Sequence, residues 1–92
     1  MNNVINKYLT ESKIKMTDSA IKKILKNPKS GKYEIDGNIV DLRVVNDTLI
    51  ISYPTSMVDF TYKLAIISDE LGYDYTQTGM NKKITKFIVD LS

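Results

Sequence analysis

Residues 32–53 read KYEIDGNIVDLRVVNDTLIISY and carry the clearest structural pattern in the chain. Two polar pairs, Asp36-Gly37 and Asn46-Asp47, interrupt a run of β-branched and aliphatic residues. Pairs of this kind are typical of two-residue hairpin turns, at which an antiparallel strand reverses direction. The stretch is therefore predicted to form a three-stranded meander.

The two turns also decide which residues lie opposite one another. The predicted pairs are Ile35 with Asn38, Tyr33 with Val40, Val45 with Thr48, Val44 with Leu49 and Leu42 with Ile51. Because paired residues share a face and faces alternate with period two, one face collects the large apolar side chains. These are Tyr33, Ile35, Val40, Leu42, Val44, Leu49, Ile51 and Tyr53. A shift of one residue in either hairpin would scatter the set over both faces.

Amphipathic segments flank the meander. Thr17 or Asp18 is predicted to cap a helix that ends near Asn27, because the residue before a proline disfavours helical geometry. Thr55 or Ser56 is predicted to cap a second helix. That helix carries its apolar stripe at Met57, Phe60, Leu64, Ile67 and Leu71 and ends at Gly72. A short helix is also predicted over residues 3–11.

Two further strands are predicted over residues 73–77 and 82–91, joined by a four-residue loop. The predicted order is α-(α)-β-β-β-α-β-β within a single domain spanning residues 1–92. This is an α+β fold, in which one antiparallel sheet of about five strands carries helices packed on one face.

The outer face of this sheet is predicted to be the binding surface. The last hairpin is predicted to pair Gln77 with Lys82 and Tyr75 with Ile84, which places both Tyr73 and Tyr75 on the outer face. The predicted partner-binding residues are Arg43, Ile50, Tyr73, Tyr75, Ile84 and Lys86. A sheet covered on one side is expected to be polar on the other, and an exposed apolar patch usually marks an interface. The alternative is that the first helix or a second copy of the chain covers this face.

Charge is sorted along the sequence. Residues 1–32 contain eight lysines against Glu11 and Asp18, a net charge of +6, whereas residues 33–81 contain eight acidic residues against Arg43 and Lys63, a net charge of −6. Such asymmetry bears on partners rather than on fold. The acidic residues of the second part would mimic the phosphates of a nucleic acid and so bind a basic partner.

Nucleic-acid binding is the alternative function. Exposed lysines would neutralise phosphates while Tyr73 and Tyr75 stack on bases. The lysines concerned are Lys22, Lys23, Lys26, Lys29 and Lys32. The α-β-β-β-α order of residues 17–72 resembles that of the double-stranded RNA-binding domain, which implies this function. The second helix begins Ser56-Met57-Val58-Asp59, where that family has a lysine cluster, and the family's Gly-Pro-x-His loop is missing.

The sequence indicates no enzyme, no cofactor and no metal site. The chain contains no cysteine and no histidine, which removes disulfides, thiolate nucleophiles and the commonest general base and metal ligand. The Gly31-Lys32 pair is followed by a tyrosine and lacks the earlier glycine of a phosphate-binding loop. The composition still allows a nucleophilic Ser–Lys pair.

The first residues indicate where the protein acts. They lack the apolar run of a signal peptide, and no apolar stretch approaches the length of a membrane span, so a cytoplasmic protein is expected.

Residues 7–11, Lys-Tyr-Leu-Thr-Glu, resemble the openings of many small tailed-phage proteins. The resemblance implies a phage or bacterial accessory protein. The expected function is an inhibitor that docks on a host protein, in the host cytoplasm, through its sheet face and acidic surface. A homodimeric scaffold is a further possibility.

Overall fold

The computed structural model of the chain describes residues 13–79 and 83–92. Its elements are β1 (Lys13–Ile14), α1 (Asp18–Lys26), β2 (Gly31–Ile35), β3 (Asn38–Val45), β4 (Thr48–Pro54), α2 (Val58–Leu71), β5 (Asp74–Gly79) and β6 (Ile84–Asp90). The α+β class and the α-β-β-β-α-β-β order are confirmed. The helix predicted over residues 3–11 lies outside the described residues.

The strands form one sheet in the order β1-β2-β3-β4-β6-β5. Strands β2 to β6 pair in antiparallel fashion, as predicted. The two-residue strand β1 was not predicted; it runs parallel to the end of β2, with Lys13 beside Glu34 and Ile14 beside Ile35. Two residues are too few to show a period-two pattern, so the sequence alone does not reveal such a strand.

The meander has the predicted register. Ile35 pairs with Asn38 at the first turn, and Val45 pairs with Thr48 at the second. Asp36 and Gly37 both take positive φ, at 50° and 83°, as a tight turn of mirror-image type requires, and Asn46 takes a φ of 56°. The turn residues therefore fix the register, and the register fixes the apolar face.

Helix α1 begins as predicted and α2 does not. The Thr17 side chain accepts a hydrogen bond of 3.2 Å from the Ala20 amide at the start of α1. The predicted caps Thr55 and Ser56 are wrong for α2, which has Met57 at its N-cap without a side-chain hydrogen bond. The Thr55 hydroxyl instead lies 2.9 Å from the hydroxyl of Thr85 on β6, so it is directed to the sheet rather than to the helix.

Both helices pack on the predicted apolar face. One cluster of buried side chains joins α1, the sheet and α2; its members include Ile21, Leu25, Ile35, Val40, Leu49, Ile51, Tyr53, Phe60, Leu64, Phe87 and Val89. The rings of Tyr53 and Phe60 meet edge to face with centroids 5.0 Å apart. Gly72 ends α2 with a φ of 79°, and the Tyr73 amide then donates to the Ser68 carbonyl.

The predicted register of the last hairpin is wrong. Tyr75 pairs with Val89 and Gln77 with Phe87, which is five residues further along β6 than predicted. An odd shift moves every side chain of a strand to the opposite face. Tyr75 therefore lies on the helix-covered face, where its ring packs against the buried ring of Phe87.

Candidate functional site

The outer face of the sheet is the face opposite the two helices. Its centre is a row of paired residues, in which Arg43 lies opposite Ile50 and Ile50 lies opposite Ile88. The next row pairs Ser52 with Lys86. Directly opposed side chains on one face have Cβ atoms about 5 Å apart, so two isoleucines and two long cationic side chains form one continuous centre.

Further apolar side chains lie around this centre. Ile39 is 58% exposed and Ile84 is 38% exposed. Val45 is exposed at the other end of β3, while Ile50 and Ile88 are half-buried by their neighbours on the strands. Within residues 13–79 and 83–92, both helices belong to the cluster on the opposite face, so neither of them covers this one.

One corner of the outer face is acidic. Asp74 on β5 lies opposite Asp90 on β6, and Asp90 lies opposite Thr48 on β4. The Ser92 hydroxyl and amide both donate to Asp90, at 2.6 and 3.0 Å, and these bonds lower the pKa of that carboxyl. The face thus has an apolar and cationic centre with carboxylates at one edge.

The structure brings together four of the six predicted partner-binding residues, namely Arg43, Ile50, Ile84 and Lys86. The placement of Tyr73 and Tyr75 with them is wrong. Tyr73 packs against the core on the helix side. The Tyr75 hydroxyl donates to a carboxylate oxygen of Asp69 on α2 over 3.5 Å. Neither ring is available to a partner on the outer face.

The predicted lysines lie on two different parts of the molecule. Lys22, Lys23 and Lys26 are exposed on α1, and Lys29 is exposed in the segment that follows it. Lys32 lies opposite Asp41 and so belongs to the outer face. Strand β2 is four strand spacings from the β5 strand of Tyr75, a distance of about 19 Å. Phosphate neutralisation by Lys32 and base stacking by Tyr75 would therefore occur at different places.

A groove of about 690 Å³, open to solvent, runs between α1 and the edge of the sheet. It is lined by Ile14, Ser19, Ala20, Lys23, Ile24, Asn27, Lys29, Tyr33 and Leu42. Its volume falls in the range of ligand pockets. Sequence reasoning did not find it, because the gap depends on how far α1 stands from β2, and no local pattern encodes that distance.

The described residues include acidic and phenolic groups with shifted pKa values. Among them, no three acidic side chains come together as metal ligands would. The pKa of Asp18 is lowered chiefly by its hydrogen bond with Lys63, and burial raises the pKa of the Tyr53 phenol. Each of these two groups is held by a neighbour within the fold, at 2.7 and 2.5 Å respectively. The first contact joins the two helices and the second joins β4 to α2, so packing within the fold explains both.

Neither described helix is long and apolar enough to cross a membrane.

No protein-family model matches this chain, and no curated protein or solved structure gives a significant match.

Proposed function

We propose that the chain is a small non-enzymatic binding protein that docks on another protein through the outer face of its sheet. The observation that carries the proposal is the Ile50–Ile88 pair at the centre of that face, with Arg43 beside it and no described helix over it. Apolar centres flanked by arginine are typical of the energetically dominant part of an interface.

The size of the face indicates how a partner would sit. Strands β3, β4, β6 and β5 are adjacent, so the face is about 14 Å wide and about 23 Å long from strand spacing and rise. This is a planar area of about 300 Å², whereas a stable interface takes about 800 Å² from each partner. A partner would therefore also contact the rim, where the Asp74–Asp90 corner favours basic groups.

The proposed role is that of an accessory protein which inhibits a host protein by occupying its surface. The resemblance of residues 7–11 to the openings of small tailed-phage proteins supports a phage origin and hence action in the host cytoplasm. The mixed charge of the outer face supports selection of one partner, because like-charge contacts disfavour the others.

Affinity capture from host extract tests the proposal. The wild-type chain is compared with a variant carrying Ile50→Thr and Ile88→Thr, which keeps β-branched residues in both strands, and with Arg43→Glu. We expect one host protein to be retained by the wild type and lost with either variant. Capture of the same protein by all three chains would contradict the proposal.

Nucleic-acid binding is the competing result of the same experiment. A triple variant of Lys22, Lys23 and Lys26 to Glu removes the exposed charges of α1 and leaves the outer face intact. We expect it to capture the same host protein as the wild type, with or without nuclease. Loss of capture in this variant and after nuclease treatment would support the nucleic-acid alternative, since binding through phosphates depends on such charges.

A further inference from the structure

Helix α2 exposes an apolar stripe on the side turned away from the core. Val58 is 53% exposed, Tyr62 is 64% exposed and Ile66 is 59% exposed. The three residues are four positions apart, so they follow one another along the helix surface. The apolar stripe predicted from the sequence is the opposite one, which contains the buried residues Phe60 and Leu64.

Helix geometry shows how compact this stripe is. At 100° per residue, Val58 and Ile66 lie about 40° to either side of Tyr62, and the three residues span about 12 Å of the axis. A helix that is apolar on two sides is usually packed on both. The core covers one side of α2, so the stripe is the side that lacks its packing partner among the described residues.

Carboxylates lie at both ends of the stripe and along one side of it. By the same geometry Asp69 follows Ile66 in line with Tyr62, while Asp59 and Glu70 lie about 60° and 80° to one side. All three acidic residues are exposed. Lys63 is the single cation of α2, and its ammonium lies 2.7 Å from the Asp18 carboxylate of α1. The stripe is therefore apolar along its length and negative at its ends.

We propose that this stripe is a second docking surface, and that its occupant is an amphipathic helix of another protein with lysine or arginine beside its apolar face. The charge of the rim selects a basic partner, and the spacing of the stripe matches the i, i+4 anchors of a helix. The stripe and the outer face of the sheet lie on opposite sides of the molecule, so the two surfaces act independently.

A second copy of the chain fits the stripe poorly. Two α2 helices laid against each other would bring their own carboxylates together, which is repulsive. Helix α1 offers lysines, but its apolar residues Ile21, Ile24 and Leu25 are buried in the core of their own chain. Charge and burial thus both favour a foreign basic helix over self-association.

A pair of designed peptides tests the proposal on the full chain. One peptide is a helix with leucines at i, i+4 and i+8 flanked by lysines, and the other carries glutamates in place of those lysines. Binding is followed by methyl NMR of the isotope-labelled protein. We expect the lysine peptide to shift the Val58 and Ile66 methyl signals and to bind about tenfold more tightly at low salt, as two or three exposed ion pairs would give.

Substitutions on the two surfaces show where the lysine peptide binds. Tyr62→Ala should weaken the lysine peptide at least about tenfold, as loss of a central aromatic anchor does, whereas Ile39→Ala, equally exposed on the outer face of the sheet, should leave it unchanged. Asp69→Lys combined with Glu70→Lys should reverse the preference to the glutamate peptide. Cations suit the last turn of a helix, and Asp69→Lys removes only the long 3.5 Å hydrogen bond from Tyr75, so these changes keep α2 folded. Glu70→Lys alone should reduce the difference between the affinities for the lysine peptide and the glutamate peptide.

Three results would overturn the proposal. The first is equal affinity for the two peptides. The second is an equal loss of binding in Tyr62→Ala and Ile39→Ala. The third is protection of the Tyr62 ring and the Ile66 methyl from a soluble paramagnetic probe in the free full-length chain, since another part of the chain would then occupy the stripe. None of these results depends on what binds the outer face of the sheet.

Discussion

The ring of Tyr75 stacks on the ring of Phe87, with centroids 5.0 Å apart and planes inclined by 18°. Phe87 is fully buried on β6, and Tyr75 lies on the edge strand β5. The contact places the face of Tyr75 against the core and its hydroxyl near Asp69 of α2. It is the contact that distinguishes the observed register of the last hairpin from the one predicted from sequence.

Replacing Tyr75 should therefore affect stability. Tyr75→Ala removes a stacked aromatic contact and should lower the free energy of unfolding by about 1–2 kcal/mol. Tyr62→Ala is the matched control, because Tyr62 is exposed and makes no described ring contact; its effect should stay within about 0.5 kcal/mol. Urea unfolding measures both. Equal effects of the two changes would mean that Tyr75 faces solvent and that the register is wrong.

Removing a buried hydroxyl from α2 should have the opposite effect. The Ser68 hydroxyl is fully buried and has no hydrogen-bond partner among the described residues. An unsatisfied buried polar group costs about 1–3 kcal/mol, so Ser68→Ala should stabilise the protein by about 1 kcal/mol. The control is Thr85→Val, which removes a buried hydroxyl that does have a partner, Thr55, and should destabilise the protein. Thermal unfolding compares them, and loss of stability in Ser68→Ala would contradict the observed packing.

The ion pair between the two helices should make stability depend on pH. The hydrogen bond and charge of Lys63 lower the pKa of Asp18 from its usual 3.8, with a smaller contribution from Lys22. Because the folded-state pKa is depressed, the pair stabilises the fold above the unfolded-state pKa, and this stabilisation is lost as pH falls through the folded-state value. Asp18→Asn should thus lower the melting temperature at neutral pH, and the difference from wild type should shrink as the pH falls below 3.8 towards the lowered folded-state pKa.

Asp59→Asn serves as the control for that measurement. Asp59 lies in the first turn of α2, and Asp18 lies in the first turn of α1. Within the described residues Asp59 has no ion pair. It therefore reports the interaction with the helix dipole alone, and its effect should be the smaller one. High salt should reduce the effect of Asp18→Asn. A difference between Asp18→Asn and wild type that stays constant from neutral to acid pH would contradict the ion pair.

The Tyr53 phenol should make the fold sensitive to alkali. Burial raises the pKa of Tyr53 above its usual 10.0, against the opposing effect of a 2.5 Å hydrogen bond with Thr61. Since the folded-state pKa is raised, stability is complete below the unfolded-state pKa and falls as pH rises through the folded-state value. Tyr53→Phe should cost about 1 kcal/mol at neutral pH and should lose less stability than wild type near pH 11. Identical alkaline profiles for the two chains would contradict the buried phenol.

The meander was predictable because two kinds of local signal agree there. The turn pairs Asp36-Gly37 and Asn46-Asp47 set the register, and the apolar residues between them alternate with period two. Each signal checks the other, so an error in one would have been visible in the sequence. Four of the six predicted surface residues follow from this register and from the alternation along β6.

The last hairpin was not predictable in the same way. Strand β5 reads DYTQTG, which has no apolar alternation to select a face, and its loop carries no two-residue turn signal. The register depends instead on the contact of Tyr75 with Phe87, which is formed between strands. The start of α2 was not predictable for a similar reason. The Thr55 hydroxyl contacts the Thr85 hydroxyl on β6, and the residues next to Thr55 in sequence do not reveal this contact.

The exposed stripe of α2 can be recognised in the sequence, but the core-facing stripe of the same helix is the longer pattern. Val58, Tyr62 and Ile66 recur every four residues in the sequence, whereas the core-facing set on the other side of the helix recurs at alternating intervals of three and four. A single helix carrying two apolar stripes indicates two packing partners. The core accounts for one of them, and only the three-dimensional arrangement shows which stripe it leaves exposed.

The most direct test of the proposed docking through the outer face of the sheet is photo-cross-linking from single positions of the chain in cell extract. A photoreactive phenylalanine analogue is placed at Ile50, in the centre of the outer face, or at Lys23, on the exposed side of α1. We expect one discrete protein adduct from position 50, resistant to nuclease, and none from position 23. Absence of an adduct at position 50, or nuclease-sensitive adducts from position 23 alone, would contradict docking through the sheet.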